Sequence, residues 1–351
     1  MVRGESPIRQ IFRERIYFLS EVLIVIFGIY FLLLIVELLP IIIDSSSVFF
    51  GPLYYMLRAI FLVLGITIFL YVANFALQSK RKLIIEENVS STKNFLKLFS
   101  ISKSNFKYQI IYGFLILFLV FIPMDFLTYI IFPQTLDLLS MIFTFYMSNS
   151  YLLAPYFTFL ISVLMIQFSL ALHEESFARG FLTNRGSDYI PNMSAVIISS
   201  FFWGLGHFAY ILHPLGRFIP LEFLLVWLIQ AFIIGLILAL FVLRKRWIFP
   251  VIFSHALNNI LSAHSIWNNI QGNEFTSLAL FVYTPLLLIS LVLFIWQFSR
   301  IKESLSNGIK AFKKYFSNDK NMKESTIDKV IRIMLDFLLG LIIFAIKILI
   351  L

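Results

Sequence analysis

Long apolar stretches recur along the chain, and short polar segments separate them. A helix needs about 20 apolar residues to cross the roughly 30 Å hydrocarbon core of a bilayer. The pattern therefore predicts an all-α, polytopic membrane helix bundle with about eight transmembrane helices. Their expected bounds are about 17–43, 53–78, 108–133, 151–182, 192–212, 221–243, 247–263 and 276–298.

A last apolar stretch, 331–351, differs from the others because it contains Arg332, Asp336 and Lys347. It could cross the membrane, or it could lie along the interface with its charges among the headgroups. The sequence leaves both alternatives open. A second irregularity lies in the third span, where Pro123 predicts a kink.

Composition supports the membrane class. Hydrophobic residues make up 60% of the 351 positions and charged residues 13%, whereas soluble domains are about 45–50% apolar. The chain has no cysteine, which excludes disulfides and thiolate chemistry. The net charge of +9 is not read as a nucleic-acid surface, because the basic residues cluster between spans, as the positive-inside rule predicts.

The distribution of basic residues also predicts orientation. If the N-terminus is cytoplasmic, nearly all Lys and Arg face inward, in segments 1–16, 79–107, 183–191, 244–246 and 299–330. We expect a multi-pass protein in the plasma membrane of a prokaryote. Three regions are predicted: an N-terminal membrane hairpin with a basic loop (1–107), a membrane-embedded catalytic core (108–298) and a basic segment with an apolar terminal helix (299–351).

Two adjacent carboxylates end the fourth predicted span. Glu175 and Arg179 are four positions apart, share a helix face and are expected to form an ion pair. Glu174 points about 100° away and lacks that partner, given 3.6 residues per turn. An ionisable residue inside a span is a functional hypothesis by default, and an uncompensated carboxylate suits a general base. The alternative is a solvated helix end at the membrane edge.

Histidines and an amide lie in two further spans. His207 follows an apolar run in the fifth span, and His255 and Asn259 are four positions apart on one face of the seventh. An imidazole and an amide on one face could bind an oxyanion or a metal ion. The alternative in each case is a polar contact that joins neighbouring helices.

The other three histidines lack such spacing. We expect His213 and His264 in loops on the outer side of the membrane, and His173 as a neighbour of the site at most. Asn258 is adjacent to Asn259 but is predicted to lie on a different helix face.

Three polar motifs in this order resemble the CPBP family of intramembrane proteases, which includes the type II CAAX prenyl endopeptidases and the bacteriocin-immunity "Abi" proteins. The resemblance covers about residues 150–265. The matching residues are Glu174, Glu175 and Arg179, then His207, then His255 and Asn259. The second motif is usually Phe-x-x-x-His, and Trp203 stands at its aromatic position in this chain.

The resemblance implies hydrolysis of a peptide bond within the membrane. Glu174 and His207 would hold and activate a water, and His255 and Asn259 would stabilise the oxyanion. The Glu175 and Arg179 side chains would give the site structural support. The implied partners are membrane lipid and a membrane-associated or prenylated protein or peptide substrate, with no role for nucleic acid.

A metal ion is a further alternative, because the family is commonly called metalloprotease. Glu174, His207 and His255 could supply three zinc ligands and leave the fourth position open. Glu174 could then not also act as a free base. The chain has no His-Glu-x-x-His helix, so the usual zincin arrangement is absent from the sequence.

Two other functional classes remain open. Buried Glu and His side chains also serve transporters and proton relays, although no internal repeat is visible. A non-catalytic membrane scaffold or immunity protein could keep the motifs for structure. A protease requires the Glu174, His207, His255 and Asn259 side chains to converge on one cavity, and that requirement separates the classes.

Overall fold

The computed structural model describes residues 6–77, 90–317 and 324–350. Within these ranges the chain is helical and contains no strand. Eight of the described helices are long and apolar enough to cross a membrane. The prediction of an all-α polytopic bundle is therefore confirmed. Part of the predicted basic loop 79–107, including Lys80, Arg81 and Lys82, lies outside the described residues.

Ten long helices make up the described bundle. They are α1 (Pro7–Leu33), α2 (Phe50–Ala76), α3 (Phe106–Ile131), α4 (Tyr156–Tyr189), α5 (Asn192–Phe208), α6 (Leu221–Lys245), α7 (Phe249–Ile270), α8 (Phe275–Trp296), α9 (Phe298–Phe316) and α10 (Thr326–Ile350). Shorter helical segments are Val36–Leu38, Leu39–Ile42, Ser91–Lys97, Thr135–Phe143, Met147–Leu153, Ala209–Leu212 and Gly216–Phe218.

Helix α4 is longer than predicted. The sequence placed a turn at 183–191, whereas the helix continues to Tyr189 through a π-helical stretch, Ser176–Thr183, that is buried along its whole length. Arg185, which suggested a water-exposed turn, instead forms an ion pair with Glu21 of α1 at 2.6 Å. Glu174 consequently lies near the middle of a 34-residue helix and not at its end.

Helix α7 is the seventh predicted span, but it is not among the eight helices that are apolar enough to cross a membrane. Its 22 residues have spanning length, at about 1.5 Å per residue. The prediction ended it at 263, and the structure continues it to Ile270, with Gly272 at φ 82° just beyond. His264 therefore lies in a helix, and its predicted place in a loop is wrong. The reason is that polar side chains make local contacts there, such as the bond from the Asn268 amide to the His264 carbonyl at 2.9 Å.

Helix α10 contains the charged apolar stretch and is long and apolar enough to cross the membrane. Two of the three charged residues in the apolar stretch 331–351 form buried ion pairs. Arg332 pairs with Glu324 at 2.7 Å, and Asp336 pairs with Arg15 of α1 at 2.7 Å. The pairing explains how two charges are accommodated in an otherwise apolar helix. Arg15 also shows that α1 begins before 17, since it lies inside a helix that starts at Pro7.

Helix α3 departs from regular α-helical geometry just before Pro123. A π-helical turn, Leu117–Phe121, directly precedes Pro123. Proline has no N–H to donate and crowds the preceding turn, so an irregular turn is favoured just before it. The turn carries Phe121, whose ring stacks on that of His255 at 5.6 Å.

Helix packing brings the motif helices together. Helix α4 packs between α2 and α7, and α5 packs against α6 and α10. The contact between α5 and α6 is close at Gly204, where a Cβ would lie 3.1 Å from the Leu228 carbonyl oxygen. The space between these helices is where the polar residues of α4, α5 and α7 converge.

Candidate active site

A cavity of about 470 Å³ lies between the motif helices. Glu174 of α4, His207 of α5, and His255 and Asn259 of α7 all line it. The residues that the sequence singled out thus share one space, as a hydrolytic site requires. The cavity is the place where a substrate could meet all four side chains.

Glu174 is held in the cavity by one neighbour. Its Oε2 atom accepts a hydrogen bond from the indole Nε1–H of Trp203 at 2.8 Å. The side chain is only partly buried, so it keeps a surface toward the cavity. Within the described residues no further side-chain hydrogen bond to its carboxylate is found, and the residue lines the cavity.

Trp203 explains the departure from the Phe-x-x-x-His motif. A phenylalanine ring could fill the same position but could not donate a hydrogen bond to Glu174. The Trp203 ring also lies 4.8 Å from the His207 ring and 5.6 Å from the His255 ring, edge to face in both cases. It therefore touches three of the functional groups. The sequence showed its aromatic character but not its role as a donor.

The tautomer of His207 follows from its backbone contact. Its Nδ1 lies 3.2 Å from the carbonyl oxygen of Trp203. A carbonyl oxygen only accepts, so Nδ1 carries the proton, and Nε2 of the neutral ring keeps its lone pair. The ring is also held edge-on against Trp227 at 5.1 Å. Nε2 is thus an acceptor on a fixed ring that lines the cavity.

Glu175 joins two of the other groups. The predicted ion pair with Arg179 is present, with 3.1 Å between Oε1 and a guanidinium nitrogen. The same oxygen lies 2.8 Å from Nδ1 of His255. Glu175 and Arg179 are each 0% exposed. Because Glu175 is a shared acceptor, it fixes the ring of His255 as well as the guanidinium.

Arg179 has a second contact, with its guanidinium carbon 4.3 Å from the centroid of the Trp203 ring. Its Nε and one terminal nitrogen, together with Oε2 of Glu175, lack a hydrogen-bond partner within the described residues. The ion pair is thus buried with part of its bonding capacity unused. Such a pair depends on both of its members.

The adjacent asparagines Asn258 and Asn259 of α7 both line the cavity. Asn259 is partly exposed to it. Asn258, which the sequence placed on another face, is buried, and its Oδ1 has no partner among the described residues. The cavity thus borders two faces of the helix, and it reaches Asn258 although this residue lies on a different face from Asn259.

Asp125 of α3 and Lys347 of α10 also line the cavity, although the sequence gave neither a role in it, and His173 of α4 lines it as a neighbour of the site. The Asp125 carboxylate accepts hydrogen bonds from Ser262 at 2.9 Å and Tyr283 at 3.3 Å. Asp125 and Lys347 were visible as ionisable residues in apolar stretches, which is a signal that could have found them.

Neither His213 nor His264 is among the residues that line the cavity. His213 lies in a loop, as predicted, with its ring 5.1 Å from those of Phe145 and Tyr146. Burial against these rings lowers the pKa of His213 below its usual value. The His264 ring packs 6.1 Å from that of Tyr156.

The positions of Glu174, His207 and His255 bear on the zinc alternative. Within the described residues, no three His, Cys, Asp or Glu side chains are grouped closely enough to hold a metal ion. Nδ1 of His255 is engaged with Glu175, and Glu174 accepts from Trp203. The arrangement of Glu174, His207 and His255 does not fit a ready three-ligand zinc site. Zinc dependence therefore stays an open alternative.

The fold and the cavity together define a multi-pass membrane protein that encloses acid–base side chains between its helices. Residues 154–261 match the family model described as Type II CAAX prenyl endopeptidase Rce1-like. The range includes all six motif residues, so the resemblance to the CAAX proteases is confirmed for this part of the chain. No curated protein and no solved structure matches the chain.

Proposed function

We propose that the protein is an intramembrane endopeptidase that hydrolyses a peptide bond of a membrane-associated or prenylated protein or peptide. One observation carries the proposal: Glu174, His207, His255 and Asn259, from three helices, line a single cavity. The Rce1-like match over 154–261 points to the same class of reaction.

The first step is attack by water. Glu174 takes a proton from a water molecule while Nε2 of His207 accepts the water's other hydrogen bond. The water oxygen then forms a bond to the carbonyl carbon of the substrate, and a tetrahedral oxyanion results. The fixed bonds from Trp203 to Glu174 and from His207 to its backbone acceptor support this geometry, because general bases act through a preset orientation.

The second step is collapse of the intermediate. Glu174 passes its proton to the leaving amine nitrogen, the carbon–nitrogen bond breaks, and two peptides are released. His255 and the amide of Asn259 donate hydrogen bonds to the oxyanion while it exists. For this role His255 must be protonated on both nitrogens, because its Nδ1–H is directed at Glu175.

The lining of the cavity supports an apolar substrate. Aromatic side chains cover much of it, namely Tyr55, Phe121, Phe143, Tyr151, Tyr210, Phe223 and Trp227. Such surfaces bind hydrocarbon chains through apolar contact, with a few polar groups that set orientation. A prenyl group or an apolar peptide segment would suit this surface.

The proposed orientation has the N-terminus in the cytoplasm. Basic residues support it, since Arg244 and Lys245 end α6, Arg246 follows it, and α9 has lysines between exposed apolar side chains. Such a helix suits a negatively charged membrane surface. The expected location is the plasma membrane of a prokaryote.

The Glu174→Gln variant tests the proposed base. Glutamine keeps the volume and the acceptor for Trp203 but cannot take a proton from water. We expect loss of cleavage by about 10²–10⁴-fold, the usual contribution of general-base catalysis. The assay is mass spectrometry of a prenylated peptide after incubation with purified protein. Exposed Glu222, at the start of α6, gives the matched control Glu222→Gln, which should cleave like the wild type.

The other site residues should follow an order of severity. His207→Ala should match Glu174→Gln, because a water held by two groups is lost with either. Asn259→Ala should cost less, about 10²–10³-fold, as for one oxyanion donor. His213→Ala and His264→Ala should keep activity, since neither residue lines the cavity. Cleavage at the normal rate by Glu174→Gln would replace the protease proposal with a scaffold or transporter.

A further inference from the structure

Asp125 and Asn258 lie beside each other in the cavity lining, and the proposed mechanism gives neither of them a role. Asp125 belongs to the span of α3, outside the range 154–261 that matches the family model. Its Oδ2 atom accepts hydrogen bonds from the hydroxyl groups of Ser262 and Tyr283, and neither of these bonds uses Oδ1. A carboxylate has about four acceptor positions, so Asp125 can accept further hydrogen bonds from the cavity.

The side chain of Asn258 has an unused acceptor. It is 8% exposed, and its Oδ1 atom has no hydrogen-bond partner among the described residues. Other amide oxygens of the cavity lining are engaged. Oε1 of Gln230 accepts from Thr128 at 2.6 Å, and Oδ1 of Asn149 accepts from Tyr55 at 3.3 Å. A buried acceptor without a donor is costly, so the position of Asn258 favours a ligand that brings a donor.

A peptide that enters a membrane cavity brings such donors. Its backbone N–H groups leave water and each needs an acceptor, because an unsatisfied polar group in an apolar setting costs free energy. A backbone N–H is also uncharged, so it adds no charge to a cavity that already contains titratable side chains. Backbone N–H groups therefore suit the free acceptor positions of Asp125 and Asn258.

Helix α7 sets the distance between these acceptors and the proposed chemistry. Asn258 immediately precedes Asn259, the proposed oxyanion donor, and Ser262 follows His255 by seven positions. Seven residues of helix extend about 10 Å at 1.5 Å per residue, which is the length of about three residues of extended peptide. A peptide bound at His255 can thus reach the acceptors within about three residues.

We propose that Asp125 and Asn258 form a binding site for backbone N–H groups of the substrate next to the cleaved bond; this inference rests on the proposed function. The site would hold an extended peptide in register beside His255 and Asn259. Every residue other than proline carries a backbone N–H. Such a site therefore sets the position of cleavage without reading the side chains of the substrate.

The test replaces the backbone amides of the prenylated peptide by esters, one at a time, at the three residues on each side of the cleaved bond. An ester keeps the shape of the chain but has no N–H. Binding is measured in the Glu174→Gln background, which keeps the peptide intact. One or two esters should raise the Kd by about 3- to 100-fold, the range for hydrogen bonds to neutral and charged acceptors, and the others should bind like the amide.

Two variants identify the acceptors. Asn258→Leu keeps the size of the side chain without its oxygen, and it should reduce the ratio of ester to amide Kd to about 1 at one position. Asp125→Asn keeps the shape but not the charge, and it should lower the largest ratio to about 10 or less, the value for a neutral acceptor. The matched controls are Asn268→Leu and Asp44→Asn, which lie outside the cavity lining and should keep every ratio.

The outcomes separate this inference from the proposed function. Equal affinity for the amide and for every ester, or ratios that survive both variants, overturns the assignment. Weakening of all forms by the same factor would also overturn it, since the variants would then act through the fold. If the wild type shows the ester pattern in binding but cleaves no peptide, the protease proposal fails and the binding site stands. If the wild type cleaves the peptide and no ester changes the affinity, the site fails and the protease proposal stands.

Discussion

The buried ion pair between Glu175 and Arg179 gives the sharpest stability prediction. Arg179→Met removes the guanidinium and leaves an apolar side chain of similar length. The change strands the Glu175 carboxylate, which is 0% exposed and would retain only His255 as a partner. It also removes the contact between the guanidinium and the Trp203 ring. The variant should therefore fold less stably and lose activity together.

The expected magnitude follows from burial. Loss of one partner of a buried pair costs about 3–5 kcal/mol, because the remaining charge is uncompensated. Solvent screening does not reduce this value, since both side chains are fully buried. With about 2 °C per kcal/mol for a large domain, the thermal midpoint should fall by roughly 6–10 °C. The measurement is thermal unfolding of purified protein in detergent, together with the folded yield.

Two further variants show whether a lower thermal midpoint of Arg179→Met comes from the unpaired Glu175 carboxylate. Glu175→Gln combined with Arg179→Met removes the stranded charge and should recover part of the loss, which a double-mutant cycle reports as a coupling energy. Arg217→Met, at an exposed loop position, should change stability by about 0.5 kcal/mol or less. An Arg179→Met protein with the midpoint and yield of the wild type would refute the reasoning, since the pair could then not be buried and mutually dependent.

Three further predictions concern the donor, the orientation and the metal. Trp203→Phe keeps the ring but removes the donor to Glu174, so kcat/KM should fall by about 10- to 100-fold with the fold retained; unchanged kinetics would show that the indole N–H is not used. A cysteine introduced at exposed Ser104, in a chain with no other cysteine, should react with an impermeant reagent only after the cells are opened, and labelling of intact cells would reverse the orientation. Elemental analysis with chelator treatment should find active protein without zinc, whereas about one equivalent of zinc required for activity would contradict the metal-free mechanism.

Spacing within a helix predicted part of the site well. Four-residue separation identified the Glu175–Arg179 pair, which the structure contains at 3.1 Å. It could not predict that Glu175 also contacts His255 of α7, or that Trp203 of α5 donates to Glu174. These contacts join different helices, and they depend on which helices are neighbours and how they are rotated. Periodicity along one chain segment does not contain that information.

The predicted bounds of the membrane spans show a similar limit to what the sequence can predict. The fifth span was predicted at 192–212, and the structure has a candidate span at Asn192–Leu212. The fourth was ended too early, because Arg185 was taken to face water although it is buried against Glu21. Hydropathy measures preference for lipid or water. It fails where a polar side chain is buried in protein, which is the situation around a functional cavity.

The polar character of α7 has a consequence for how the protein is assembled. A helix that carries His255, Asn258 and Asn259 is less apolar than the eight candidate spans, and in lipid alone its polar side chains would be unsatisfied. Its neighbours α3 and α4 supply the contacts that it needs, including Glu175 and Asp125. Side chains that line the cavity, His255 among them, therefore also hold α7 to its neighbours, and we expect substitutions there to lower the folded yield.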